Sequence, residues 1–156
     1  MEKEFLMYEK AITIAIKAHQ KQKDRGGEPY IYHPLYVAMN CDELKYKIVA
    51  VLHDVVEDSD ITIAELRDAG FDEDILEAVD LLTKKDEDKH GQGYVEYLKR
   101  IRENNIALVV KLEDLKHNSD ISRLKDVKEK DLQRVEKYKK SIMFLQHKIS
   151  DSEVIS

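Results

Sequence analysis

Apolar residues recur at helical intervals along most of this chain. From Phe5 to Gln22, the positions Tyr8, Ala11, Ile12, Ala15 and Ala18 fall three or four apart, which predicts an amphipathic helix. Asp24 to Pro29 carries a Gly pair and a Pro and predicts a loop. A second helix is expected after His33-Pro34, with the proline in its first turn, where a missing N–H costs little. Lys45 to Glu57 reads as one helix. Its residues Ile48, Val49, Val51, Leu52, Val55 and Val56 are apolar around most of the circumference, so it should be central. Asp60 or Thr62 caps a short helix at Ile63–Ala69 that Gly70 closes, and Asp72 opens Ile75–Leu82. The polar stretch Lys84 to Gly93 is the best candidate for a mobile loop. Helices are expected at Tyr94–Arg102, at Ile106–Asn118 and from Lys130 to His147. The β-branched run Ile106–Val110 imitates a strand, but Leu108, Leu112 and Leu115 keep the helical period. The pattern predicts an all-α bundle of about seven or eight helices, in one domain over residues 1–156 with no internal repeat.

Composition narrows the function classes. Charged residues make up 37% and apolar ones 42%, Trp is absent, and Gly (5) and Pro (2) are scarce, as in a charged, helical globule. The net charge of −6 argues against non-specific nucleic-acid binding. An anionic ligand would need local neutralisation by a metal or a basic cluster. No apolar run approaches the roughly 18 residues of a membrane span, and Glu2, Lys3 and Glu4 at the start do not look like a signal peptide. Cys41, the single cysteine, has no internal disulfide partner and suits a half-buried thiol in a reducing cytoplasm. The oligomeric state is left open.

Polar residues inside apolar segments carry the candidate chemistry. On a continuous helix, His53 lies beside Glu57 and Asp54 beside Asp58, which makes one patch of an imidazole and three carboxylates. Such carboxylates repel one another unless a cation sits among them. An isolated His-Asp pair is more often a solvated helix end. Two further features favour a site: Asp114 and Asn118 sit four apart on an apolar helix, and His33 stands at a loop-to-helix junction before Pro34. Two imidazoles and two carboxylates form a mixed, fairly hard donor set suited to Mn²⁺, Fe²⁺ or Zn²⁺. His19 reads as a core histidine, His90 and His147 as exposed, and His117 either as a partner of the site or as its neighbour only. Lys111, Lys23 and Arg25 are the candidate phosphate contacts; each is otherwise ordinary charged surface.

The order His33, His53-Asp54, Asp114 resembles the metal-binding pattern of the HD superfamily. More closely, AHQKQKDRGGEPYIYHPLYVA, AVLHDVVEDSDIT, LLTK and VVKLEDLKHN resemble successive blocks of the RelA/SpoT-type hydrolase domain, over residues 10 to 145. The resemblance implies a compact helical HD bundle, a small stand-alone hydrolase, and removal of the 3′-pyrophosphate of (p)ppGpp with a divalent metal, usually Mn²⁺. It implies His33, His53, Asp54 and Asp114 as metal ligands and Glu57 and Asp58 as the acidic pair acting on the attacking water. Asn118 would lie near the ribose and scissile phosphate, and Arg25 in the loop facing the nucleotide. The chain departs from the family at Asp24, where relatives commonly carry Arg, at Lys21, and at Leu115-Lys116. A purine contact is thus expected to be lost at Asp24, with Arg25 as its stand-in. The rival expectations are a phosphatase for another nucleotide, such as NADPH or a nucleoside monophosphate, and a catalytically silent metal-dependent nucleotide sensor.

Overall fold

The computed structural model describes residues 2–155, and among them every regular element is helical apart from an isolated bridge between Lys23 and Pro29. Ten α-helical segments follow in order: α1 (Glu2–Ala18), α2 (Tyr32–Met39), α3 (Leu44–Leu52), α4 (Val55–Asp58), α5 (Ile63–Asp68), α6 (Glu73–Leu82), α7 (Gly91–Arg102), α8 (Asn105–Asn118), α9 (Glu129–Leu145) and α10 (Asp151–Ile155). The two shortest, α4 and α10, are little more than one turn; the other eight correspond to the expected helices.

Helix α3 is the centre of the bundle, packed against α1, α2, α6 and α8. Its run Ile48–Leu52 is wholly buried, as the near-continuous apolar pattern requires. The starts and stops follow local chemistry. The Thr62 hydroxyl accepts from the Glu65 amide at 3.1 Å, and the Asn104 side chain accepts from Ala107 at 2.9 Å. Gly70 ends α5 with φ +102°, a conformation that only glycine adopts freely. The β-branched run at 106–110 is helical, as its leucine period indicated.

Two expectations need correction. The helix over Lys45–Glu57 is not continuous: α3 ends at Leu52, and Asp54 (φ −105°, ψ −1°) starts a new turn. The cause is local. The His53 ring donates its Nδ1–H to the Ala50 carbonyl, which would accept the Asp54 amide in an unbroken helix. His53 therefore does not share a continuous helix with Glu57, whereas Asp54 and Asp58 remain one turn apart, with the Asp58 amide donating to the Asp54 carbonyl at 2.9 Å. The stretch Lys84–Gly93 is also more built than its polarity suggested. It holds a 3₁₀ turn at Asp86–Asp88, and buried Asp88 accepts from Arg100 at 2.9 Å and from the Lys85 amide at 3.0 Å.

Candidate active site

Three side chains from three helical segments meet at the floor of a cavity of about 540 Å³. His33 enters from the first turn of α2, where Pro34 occupies a position whose amide needs no partner. His53 stands at the end of α3 and Asp114 on the inner face of α8. One donor atom from each lies within 4.8 Å of the others, and all three residues are buried. His33 Nε2 is 2.7 Å from Asp114 Oδ1, and His53 Nε2 is 3.3 Å from the same oxygen.

Asp54 flanks this trio, with Oδ2 3.1 Å from His53 Nε2 and the Tyr30 hydroxyl donating to it. Asn118 donates to Asp114 Oδ1 at 3.1 Å, so the expected pairing one turn apart on α8 is present. His117, left between two readings by the sequence, is buried against the site: its Nδ1 is 2.7 Å from His33 Nδ1, and it stacks on Tyr36 from the other side. His19 is buried, with Nδ1 2.8 Å from Gln22, and His90 and His147 are exposed.

The donor set fits a divalent cation. With Nδ1 donating to the Ala50 carbonyl, Nε2 is the His53 atom left to face the cluster, and that buried atom has no hydrogen-bond partner although two carboxylates lie beside it. Burial opposes charge on His53, but Asp54 and Asp114 outweigh it and raise its pKa well above the ordinary value. Burial likewise opposes ionisation of Asp114, yet Lys111, His33 and His53 hold it well below the usual carboxylate range. The floor is thus organised around positive charge, which a metal ion supplies permanently.

The remaining expected residues fall into two groups. Glu57 and Asp58 both line the cavity, exposed at the end of α4. Glu57 Oε1 accepts from the Lys84 amide at 2.7 Å. Asp58 is pushed up to about 6, first by the protein surrounding it and then by the charges of Asp54 and Glu57. Lys23 and Arg25 lie exposed on the cavity wall. Lys111 differs from expectation: it is buried, pairs with Asp114 Oδ2 at 3.1 Å, and lies 5.5 Å from the Tyr97 ring centroid, so its charge is already engaged.

Other basic residues on the wall were not anticipated: Lys84, Arg123, Arg134 and Lys137. Lys84 and Lys137 have lowered pKa values, through burial first and then the neighbouring Lys111 charge. Arg134, Lys137 and Tyr138 share one stripe of α9 at spacings of three and four, a signal present in the sequence. Lys84 ends the LLTK block. Nothing local marks Arg123.

No family model matches the chain. It is 34% identical over 140 residues to guanosine-3′,5′-bis(diphosphate) 3′-pyrophosphohydrolase of Aquifex aeolicus, covering 85% of this chain and 19% of the relative. It is 32% identical over 119 residues to the bifunctional (p)ppGpp synthase/hydrolase SpoT of Escherichia coli, covering 69% of this chain and 17% of that protein. A GTP pyrophosphokinase of Myxococcus xanthus is 32% identical over 123 residues, covering 70% and 16% respectively. The chain therefore spans about a fifth or less of the length of these relatives. A solved structure of a metazoan SpoT orthologue described as hydrolysing ppGpp has the same fold, with TM-score 0.72 at 18% identity, over 95% of this chain and 90% of that one. The chain is an HD-type domain homologous to one segment of the guanosine-3′,5′-bis(diphosphate) 3′-pyrophosphohydrolases.

Proposed function

We propose that this chain is a metal-dependent phosphohydrolase that removes the 3′-pyrophosphate of ppGpp and pppGpp, releasing GDP or GTP and pyrophosphate. The observation that carries the reading is the buried His33–His53–Asp114 cluster at the floor of a cavity whose wall bears six basic residues besides the engaged Lys111: Lys23, Arg25, Lys84, Arg123, Arg134 and Lys137. On a chain of net charge −6, that wall is the place where a polyanion is tolerated. The names of the relatives supply the substrate.

His33, His53 and Asp114, with Asp54 beside them, would hold the cation; the donor set suits Mn²⁺, Fe²⁺ or Zn²⁺, and Mn²⁺ is our preference from the resemblance to the RelA/SpoT-type hydrolase domain. Bound there, a divalent ion supplies Lewis acidity toward a phosphoryl oxygen and makes water more acidic. The protein's own groups do the rest. Asp58, which lines the cavity with its pKa raised to about 6, would accept a proton from the attacking water as the water oxygen bonds to phosphorus. The bond from phosphorus to the 3′-oxygen breaks, and that oxygen takes up a proton as pyrophosphate leaves. Glu57, held by the Lys84 amide, fixes the α4 end of the site. Lys84 and Lys137 offset the charge of the transferred group, and Asn118 holds Asp114 in place.

The test is turnover of ppGpp by the chain reconstituted with Mn²⁺, read as released pyrophosphate and compared with NADPH and nucleoside monophosphates. Release of pyrophosphate from ppGpp at a kcat/KM well above any other substrate supports the reading. Faster release of phosphate from another nucleotide would leave only an HD phosphohydrolase, and tight binding without turnover would make the chain a sensor.

A further inference from the structure

Two loops meet over the exposed wall of the cavity, and a single arginine joins them. Asp24 Oδ1 accepts from the amides of Gly26 and Glu28, each at 2.9 Å, which fixes the carboxylate on its own loop. Its second oxygen accepts from Arg123 Nη1 at 3.2 Å, across 99 residues of sequence. Gly26 then lies against the backbone of the same arginine: a Cβ at position 26 would stand 2.9 Å from the Arg123 carbonyl oxygen. The side-chain and backbone contacts are separate, and both bring residues 24–28 onto Arg123. Asp24, Gly26, Asp120 and Arg123 line the main cavity and also a second one of about 470 Å³, so this clasp is the partition between them.

We propose that Arg123 is a substrate-binding residue, positioned by Asp24 and Gly26, for the phosphate groups that stay outside the metal cluster. The inference rests on the proposed reaction. A guanosine 3′,5′-bis(diphosphate) carries two polyanionic arms, and the metal cluster can neutralise only the one that reacts. The other arm needs its own cation on an acidic protein. Arg123 is suited to this because one Nη1–H of its five N–H donors is committed to Asp24, which leaves the others for phosphate oxygens. Its side chain is 38% exposed whereas that of Asp24 is 11% exposed, so the guanidinium is open to a ligand and its holder is not. The neighbouring carboxylate, Asp120, is engaged by the Ser122 amide at 2.9 Å.

The experiment compares hydrolysis of ppGpp with that of guanosine 3′-diphosphate, which lacks the 5′ arm, by the Mn²⁺-loaded chain. Arg123→Ala should raise KM for ppGpp about five- to tenfold, with kcat within about twofold, and leave KM for the truncated substrate nearly unchanged. Arg123→Lys should restore part of the loss, since it keeps charge without the fork. Asp24→Asn keeps an acceptor for the loop amides but weakens the hold on Arg123; it should raise KM less, and add nothing on top of Arg123→Ala. Gly26→Ala should reproduce the KM effect by parting the loops. An equal effect of Arg123→Ala on both substrates, or none on either, overturns the assignment, as does a full Asp24→Asn effect without Arg123. Absence of turnover of both substrates by the unaltered chain instead sinks the proposed function, and this inference with it.

Discussion

The imidazoles of His117 and His33 meet edge to edge, with ring centroids 5.0 Å apart, planes 7° from parallel and the two Nδ1 atoms 2.7 Å apart. One nitrogen of that pair must donate. Burial, and then the neighbouring His33, push the His117 pKa down to about 4, so His117 is neutral near pH 7 and can accept. With a cation bound at the cluster, His117 would accept from His33 Nδ1–H and leave the His33 Nε2 lone pair for the ion, the tautomer that a metal ligand needs.

His117→Phe should keep the stack on Tyr36 while removing the acceptor. Its expected effect is a loss of metal affinity of about tenfold or more. His53→Ala removes a proposed ligand outright and should abolish stoichiometric binding. Calorimetric titration with Mn²⁺ checks both, and unchanged affinity in His117→Phe would refute the proposed tautomer.

The two acidic residues on α4 are expected to separate. Glu57 is occupied by the Lys84 amide, an interaction that a glutamine oxygen can also make, whereas Asp58 has its pKa raised to about 6. Asp58→Asn should lower kcat about 10²-fold with metal content intact, and Glu57→Gln should cost less. The reverse order in single-turnover rates would move proton acceptance to Glu57.

Lys111 and Asp114 form a buried ion pair, so Lys111→Met leaves Asp114 without its cation. In metal-free protein the change should cost about 3–5 kcal/mol of stability. Bound Mn²⁺ replaces the lost charge, so the deficit should shrink when the ion is added. Thermal unfolding with and without chelator reads the difference; a deficit that ignores the metal would separate Lys111 from the proposed centre.

Most of the fold was legible because short-range patterns encode it. Helix periodicity, the Thr62 cap and the Gly70 stop depend on neighbours a few residues away. The break after Leu52 was hidden, since Lys45–Glu57 is apolar around most of its circumference and the interruption comes from one histidine competing for a backbone carbonyl. His53 and Asp114 stood out as polar residues in apolar helices, and His33 as a histidine at a loop-to-helix junction before Pro34. Their convergence is a tertiary fact, with His33 and Asp114 81 residues apart. Asp24 looked like a lost contact because its partner is 99 residues away.

Cys41 should be chemically silent in the native protein. It is 2% exposed, its thiol donates to the Val37 carbonyl at 3.4 Å, and burial, then the Glu113 charge, push its pKa up to about 11. At pH 8 only about one thiol in a thousand is ionised. No reaction with a disulfide reagent is expected before urea unfolds the chain; prompt labelling of folded protein would contradict this burial.

The break after Leu52 also divides the pocket by how readily its parts open. His53 follows directly on Ile48–Leu52, five residues with no exposed surface, and Asp114 sits on a helix packed against that run. Amides there should exchange with solvent only when the whole domain unfolds, while those of the loops at 24–28 and 119–128 exchange through local fluctuations. The proposed ion and the proposed phosphate contacts thus ride on different cooperative units. Mild denaturant should erode substrate affinity first, with the metal still in place.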